Sequence, residues 1–276
     1  KMTTNNHYDS IKIITQNLQG SHETPNENGT YSNTKFESII HQMNGEQENA
    51  PDIVLAQETW LAGNWIKEIN DITVIHHGPE KQPPQGKRGG LAIFLNCTAK
   101  NAWTEAGQKL TQPGCIVDNT TRILGIALTF RENQQKKRNK ISRKITLEIL
   151  NIYAPHNGLD YCETFDSHLD SICRTINPKH SMILAGDLNA AIGRRNRTTS
   201  DESNPTFKCL GPHGINPPKQ CPREEPYISL MLMHDLRHTT SYFSHRIHST
   251  HYNNLTRQHR QLDYFLVPIS LFTRVT

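Results

Sequence analysis

Four apolar runs each deliver a polar side chain at their far end. Ile13-Ile14-Thr15 is followed by Asn17, Ile53-Val54-Leu55-Ala56-Gln57 by Glu58, Ile149-Leu150-Asn151-Ile152 by Tyr153, and Met182-Ile183-Leu184-Ala185-Gly186 by Asp187. A buried strand that ends on such a group holds it on a rigid rim, where open α/β sheets collect their ligands. If the four strands lie side by side, the four side chains meet in one cleft. A small set of oxygen donors suits Mg²⁺, which keeps several waters and is usually held by one or two carboxylates plus substrate phosphate. Glu58 is the expected ligand. Asp187 and Asn189 are two residues apart, so both can reach one point from a turn, Asp187 to orient or deprotonate a water and Asn189 to fix its position. Tyr153 can donate to a phosphate oxygen or to a departing oxyanion. His156, in Ala-Pro-His, reads equally as a phosphate contact and as a turn residue. Taken singly, a carboxylate at a strand end is more often a turn or helix cap; the order of the four carries the signal.

The elements that must position these groups are short. Strands are expected over 11–15, 52–57, 72–75, 90–95, 122–130, 145–153, 182–185 and 261–267, with a weaker one over 236–242, because these runs are rich in β-branched residues or leucine. Helices are expected over 34–43, where Phe36, Ile39, Ile40 and Met43 recur behind a Thr34/Glu37 capping box, and over 159–176, where Phe165, Leu169, Ile172 and Cys173 share a face ahead of Pro178. Residues 20–32, 78–88 and 198–226 read as loops. Many strands, few helices and no strict βαβ alternation point to a layered α/β or α+β fold with mixed sheets.

Five ordered segments carry a resemblance. Gln16-Asn17-Leu18-Gln19-Gly20, Gln57-Glu58-Thr59-Trp60, Asn151-Ile152-Tyr153-Ala154-Pro155-His156, Gly186-Asp187-Leu188-Asn189-Ala190-Ala191-Ile192-Gly193 and Gln261-Leu262-Asp263-Tyr264-Phe265-Leu266-Val267 look like the successive motifs of the endonuclease/exonuclease/phosphatase superfamily, over nearly all of 11–267. Gly211-Pro212-His213-Gly214 further resembles the apurinic-endonuclease-like domain of non-LTR (LINE-type) retrotransposons. The resemblance implies an α/β (α+β) four-layer α/β-β/α sandwich, two packed mixed β-sheets flanked by helices. It implies that Asn17 joins the metal and phosphate network, Glu58 binds Mg²⁺ (or Mn²⁺), Tyr153 contacts phosphate, Asp187 with Asn189 manages the nucleophile, and Asp263 orients a catalytic histidine. The implied reaction is attack of water on a phosphodiester, leaving a 3′-hydroxyl and a 5′-phosphate. In a retrotransposon that hydroxyl primes reverse transcription, so duplex DNA and a reverse transcriptase domain of the same polyprotein are the implied partners, met in the nucleus when the target is chromosomal.

Two departures from the pattern matter. The histidine that closes such sites is expected beyond Thr276, so 11–276 reads as this domain short of its C-terminal end, 1–10 as an N-terminal extension, and the chain as given as impaired, since such a group contributes about 10² to 10⁴ in rate. Gln19 stands where repair-type members carry an acid. The histidines of 234–259 lack zinc-ligand spacing and read as a weakly basic loop. Two further readings stay open: another phosphoesterase of the same fold acting on RNA ends, inositol phosphates or lipids, and an inactive copy.

Composition narrows the setting. The hydrophobic fraction is 34% and mean hydropathy is -0.66, yet the apolar residues cluster in runs, which argues against disorder. No apolar stretch approaches the roughly 18 to 20 residues that cross a bilayer, and the first residues are too polar for a signal peptide, so the expected location is intracellular. Six cysteines without a CxxC pair are expected to be reduced thiols. The net charge of +4 is mild, but it gathers at Lys136-Lys137-Arg138-Asn139-Lys140 with Arg143 and Lys144, and at Arg194, Arg195 and Arg197. The first cluster reads as a solvated loop; the second, beside the Asp187 turn, reads equally as a solvated turn and as a contact for the substrate backbone.

Overall fold

The computed structural model describes residues 10–19, 24–25, 31–32, 34–45, 49–81, 89–111, 116–117, 120–136, 139–156, 162–195, 206–215, 221–244, 250–253 and 258–272. Two sheets dominate. The first has five strands, β1 (Ile13–Asn17), β2 (Ile53–Gln57), β3 (Asn64–Ile69), β4 (Ile72–His77) and β5 (Leu91–Leu95), in the order β1-β2-β5-β4-β3. The second has six, β6 (Leu110–Thr111), β7 (Ile123–Lys136), β8 (Asn139–Tyr153), β9 (Ser181–Asp187), β10 (Leu236–His238) and β11 (Asp263–Pro268), in the order β10-β11-β9-β8-β7-β6. Both are mixed: β1 runs parallel to β2 and β8 parallel to β9, and the remaining pairs are antiparallel.

Alternation along each strand builds the layers, because successive side chains leave a strand on opposite faces. Ile53 and Leu55 of β2 face Ile149 of β8 and Ile183 and Ala185 of β9 in the layer between the sheets, whereas Val54 and Ala56 turn outward. There they meet α1 (Thr34–Asn44), which lays Phe36, Ile39, Ile40 and Met43 on the first sheet. On the far side, Leu150, Ile152 and Leu184 receive α3 (Cys162–Thr175) and α4 (Glu224–Met233) through Phe165, Leu169, Tyr227, Leu230 and Met231. A shorter helix, α2 (Cys97–Glu105), closes one end of the inter-sheet core with Ala99, Ala102 and Trp103. The result is the expected four-layer sandwich of two packed mixed sheets flanked by helices. Each fully buried Leu, Ile or Phe contributes about 1.5 to 3 kcal/mol, so the three apolar clusters hold the layers together.

The differences from the sequence reading have local causes. β1 continues to Asn17, so this residue belongs to the strand rather than following it. Strand β3 is an edge with Ile66 exposed, and it shows no alternation to read. Helix α2 buries mainly small alanines, which leave a faint periodic signal. The loop expected over 198–226 ends early, because α4 begins at Glu224 with Pro226 in its first turn, where the missing N–H is not needed. β7 and β8 run past the expected ends, 130 and 145, into the basic segment where the sequence leads one to expect a solvated loop. Among the described residues, no helix is long and apolar enough to cross a membrane.

Candidate active site

The inner faces of three strands turn from apolar to polar at one end of the inter-sheet layer. Ile53-Leu55 gives way to Gln57, Ile149 to Asn151 and Tyr153, and Ile183-Ala185 to Asp187. Just inside this end, two amides join the sheets. Gln57 Nε2 donates to Asn151 Oδ1 at 2.6 Å and to Thr15 Oγ1 at 2.9 Å, and Asn151 Nδ2 donates to the carbonyls of Ala56 and Ala92, each at 3.0 Å. Both amides are 0% exposed, so these bonds are made where an unmet polar group is costly.

Beyond this bolt the candidate side chains meet. Asn17 Nδ2 donates to Glu58 Oε1 and to Asp187 Oδ2, both at 3.0 Å, and thereby links the first sheet to the second across 170 positions of sequence. The Tyr153 hydroxyl donates to Glu58. In the second sheet Tyr153, Asp187 and Asp263 stand in one row across adjacent strands, as the register Tyr153↔Asp187 and Asp187↔Asp263 requires. Gly186 makes this approach feasible: a Cβ there would lie 2.1 Å from the Ile152 carbonyl oxygen, and its φ of +133° disfavours other residues.

Glu58 and Asn189 hold left-handed backbone, with φ of 52° and 46°. Non-glycine residues in this region carry strain that surrounding contacts must impose, and such residues gather at functional sites. The contacts are present. Thr59 and Trp60 donate their N–H groups to the carbonyls of Gly90 and Gly89. Asn189 donates its N–H to Asp187 Oδ1 at 2.9 Å and its side-chain Nδ2 to the Ala154 carbonyl at 2.7 Å. Arg223, at the start of α4, donates to the carbonyls of Pro155 and Leu188 and pairs with Asp166, so both site turns are pinned from behind.

The electrostatics follow from burial and like charge. Asp187 is pushed up to about 7 by burial first and by the Asp263 charge second, against the lowering effect of the Asn189 and Asn17 N–H groups, with Glu58 adding to the rise. Tyr153 is raised by burial and by the Glu58 charge, so it stays protonated as a donor. The Arg122 guanidinium lies 4.6 Å from the Tyr153 ring centroid and opposes that rise. It is 5% exposed, and its Nε and Nη1 make no hydrogen bond among the described residues.

His76 supports the Glu58 turn. Its Nδ1 meets the Gly63 carbonyl at 2.9 Å and its Nε2 meets Thr59 Oγ1 at 2.8 Å, and its ring stacks on Trp65. A carbonyl only accepts, so the proton sits on Nδ1 and Nε2 accepts from Thr59; the ring is neutral. Burial lowers its pKa to about 4. A histidine depressed in the folded state contributes stability that is full above its unfolded pKa, near 6.5, and is lost as pH falls through about 4. We therefore expect about 3 kcal/mol of acid-linked destabilisation from this ring, seen as a fall in melting temperature between pH 6.5 and 4 that His76→Gln flattens. Equal pH slopes for both proteins would show that His76 is not the source.

Of the residues expected from sequence, Asn17, Glu58, Tyr153 and Asp187 come together, and Asn189 and Asp263 adjoin them. His156 is exposed, three residues beyond Tyr153, with its carbonyl accepting from Cys162 Sγ at 3.2 Å. Arg194 is exposed, and Arg195 is half-buried with its N–H on the Gly211 carbonyl; Arg197 lies outside the described residues. His238 is buried against Thr240 and Tyr264, and His234 pairs with Asp170, so these two histidines are structural. Gln57, Asn151, Arg122, His76 and Arg223 were not foreseen as site residues. A polar residue inside an apolar strand is a legible signal for the first two; spacing offers none for the others.

Among the described residues, no group of three or more His, Cys, Asp and Glu side chains is placed to hold a metal ion. The donor set is of another kind: two carboxylates share one amide nitrogen and press on each other electrostatically. One or two carboxylates, with the remaining positions filled by water and phosphate, is the usual way of holding Mg²⁺, and a divalent charge would relieve the burial that raises Asp187. The residues would fit such an ion, which Glu58 would hold with Asn17 and Asp187 beside it.

No family model and no curated protein sequence matches the chain. Solved structures that resemble it include an endonuclease/exonuclease/phosphatase family protein from Leptotrichia buccalis, at 14% identity over 94% of this chain and 87% of that one, with a TM-score of 0.48. The human Nocturnin catalytic domain is similar at 14% identity over 94% of this chain and 82% of that one, with a TM-score of 0.44. A mannosyl-6-phosphatase from Bacteroides thetaiotaomicron is similar at 13% identity over 95% and 86% of the two chains, with a TM-score of 0.45.

Proposed function

We propose that the chain is a divalent-metal-dependent phosphodiester hydrolase of the endonuclease/exonuclease/phosphatase type, acting as a DNA-nicking endonuclease of a retrotransposon polyprotein. The observation that carries this reading is the single Asn17 amide nitrogen bonded to both Glu58 and Asp187, with the Tyr153 hydroxyl on Glu58. When bound, Mg²⁺ or Mn²⁺ would neutralise charge on the phosphate and on the departing oxygen.

The chain's own residues divide the remaining work. Asp187 orients the attacking water and accepts its proton, and the Asn189 N–H holds Asp187 Oδ1 in place for that task. When substrate is bound, the protonated Tyr153 hydroxyl would turn from Glu58 to donate to a non-bridging phosphate oxygen. Arg122, whose Nε and Nη1 meet no acceptor among the described residues, lies against the Tyr153 ring and supplies positive potential behind it. By the resemblance, Asp263, next to Asp187, would orient a histidine that protonates the leaving 3′-oxygen. The products are a 3′-hydroxyl and a 5′-phosphate, and the 3′-hydroxyl serves the polyprotein's reverse transcriptase domain as primer. Arg194 and Arg195, after the Asp187 turn, contact the duplex backbone.

A supercoiled plasmid incubated with the protein and Mg²⁺ tests the reading. Conversion to the nicked circle, lost on chelation, is expected. Hydrolysis confined to phosphate monoesters, inositol phosphates or phospholipids would overturn the DNA assignment while keeping the chemistry.

A further inference from the structure

We propose that the outer halves of β7 and β8 form a docking arm for the phosphate backbone of duplex DNA, separate from the hydrolytic cleft. The two strands pair without interruption from Ile123↔Ile152 to Lys136↔Asn139. Their neighbours stop far short of the tip: β6 reaches only Gly125 and Ile126, and β9 pairs with β8 only from Leu147 to Tyr153. From Arg131↔Lys144 outward, no other described strand pairs with this two-stranded ribbon. At its root, Arg131 and Lys144 both reach Glu105 at the end of α2, at 3.1 and 2.8 Å.

The ribbon's composition sets it apart from the rest of the molecule. Its twelve paired residues, 131–136 and 139–144, hold five cations (Arg131, Lys136, Lys140, Arg143 and Lys144) against one acid, Glu132. The whole chain has 30 Lys and Arg against 26 Asp and Glu, which leaves 25 of each elsewhere. The net charge of the protein is thus the charge of this ribbon, and the sequence joining its strands adds Lys137 and Arg138. Register pairs Arg131 with Lys144, Asn133 with Ser142 and Gln135 with Lys140, and none of these pairs includes an acid. A single apolar residue, Ile141, stands among the twelve. Two-stranded ribbons are marginal in water without a packed face, and five cations against one acid leave this one with unbalanced positive charge.

An anionic partner supplies what is missing. The major groove of B-form DNA, about 12 Å wide, admits a two-stranded ribbon, and cations along it neutralise phosphates and release counterions. An anionic membrane is the poorer match, because stable adsorption adds apolar burial to charge and only Ile141 is present to give it. The tip lies fourteen residues of β8 from Tyr153, roughly 45 Å at the rise of a strand, so the arm holds nucleic acid remote from the bond being cut.

The test uses the full chain, a labelled 30-base-pair duplex and chelator, so that binding is read without hydrolysis and stands or falls apart from the catalytic reading. One variant carries Lys136→Gln, Lys140→Gln and Arg143→Gln; a second replaces residues 132–143 with Asn-Gly, a turn that closes two-residue hairpins. Both are expected to melt like the parent, because the replaced segment pairs with no other described strand. Both should bind the duplex at least about tenfold more weakly near 0.1 M salt, with the slope of log affinity against log salt reduced by about 2 to 3 in the first, which loses three cations, and by about 4 in the second, which loses five. Unchanged affinity and slope in both variants would overturn the proposal, as would tighter binding of the parent to phosphatidylserine vesicles than to the duplex.

Discussion

Asp187→Asn is expected to lower plasmid nicking by about 10³ while leaving the metal-free protein at pH 8 at least as stable as the parent. The two effects have one origin. Asp187 is buried beside Asp263 and Glu58, which push its carboxyl up to about 7. A carboxyl raised in the folded state contributes stability that is full below its unfolded pKa, near 4, and is lost as pH rises through about 7. Across three pH units this is on the order of 4 kcal/mol against the metal-free fold at pH 8. Asparagine removes the charge and keeps an oxygen for the Asn189 N–H, although its amide then faces that of Asn17, which offsets part of the gain. Nicking kinetics and melting curves at pH 5 and 8 in chelator check both halves. A variant that nicks normally, or whose melting temperature falls between pH 5 and 8 as steeply as the parent's, contradicts the role given to Asp187.

Asn151→Leu is expected to cost about 3 kcal/mol, a fall of roughly 6 to 12 °C in melting temperature for a chain of this size. Leucine matches the shape but strands the carbonyls of Ala56 and Ala92 and removes an acceptor from Gln57, all inside the inter-sheet layer. The loss should also reach the chemistry, because the bolt sets the Glu58 end of β2 against the Tyr153 end of β8. Gln57→Leu combined with Asn151→Leu should cost less than the sum of the two single changes, since their mutual bond is lost only once. Strict additivity would show that the two amides act independently.

Much of the site is legible in the sequence. Ile53-Leu55-Gln57, Ile149-Asn151-Tyr153 and Ile183-Ala185-Asp187 state in alternate residues that each strand is apolar between the sheets and polar at one end. The five-segment resemblance supplied their order. Less of the periphery could be read. Helix α2 buries alanines, β3 is an exposed edge, and α4 hides behind prolines that suggest a loop. The ribbon leaves little trace in the sequence, because its paired residues carry almost no apolar ones to alternate and the pairing of β7 with β8 continues outward from a well-packed root. Arg122 gave no sign at all, since a cation ahead of a strand is ordinary until its guanidinium is found under Tyr153.

Calorimetric titration of Mg²⁺ and Mn²⁺ into the parent and Glu58→Gln, in weak buffer at pH 7, tests the central claim most directly. One ion per chain, a release of protons as Asp187 ionises, and loss of both in Glu58→Gln are predicted. Identical titrations for the two proteins, or no saturable binding in the parent at millimolar metal, would contradict a cation held where Asn17, Glu58, Tyr153 and Asp187 meet.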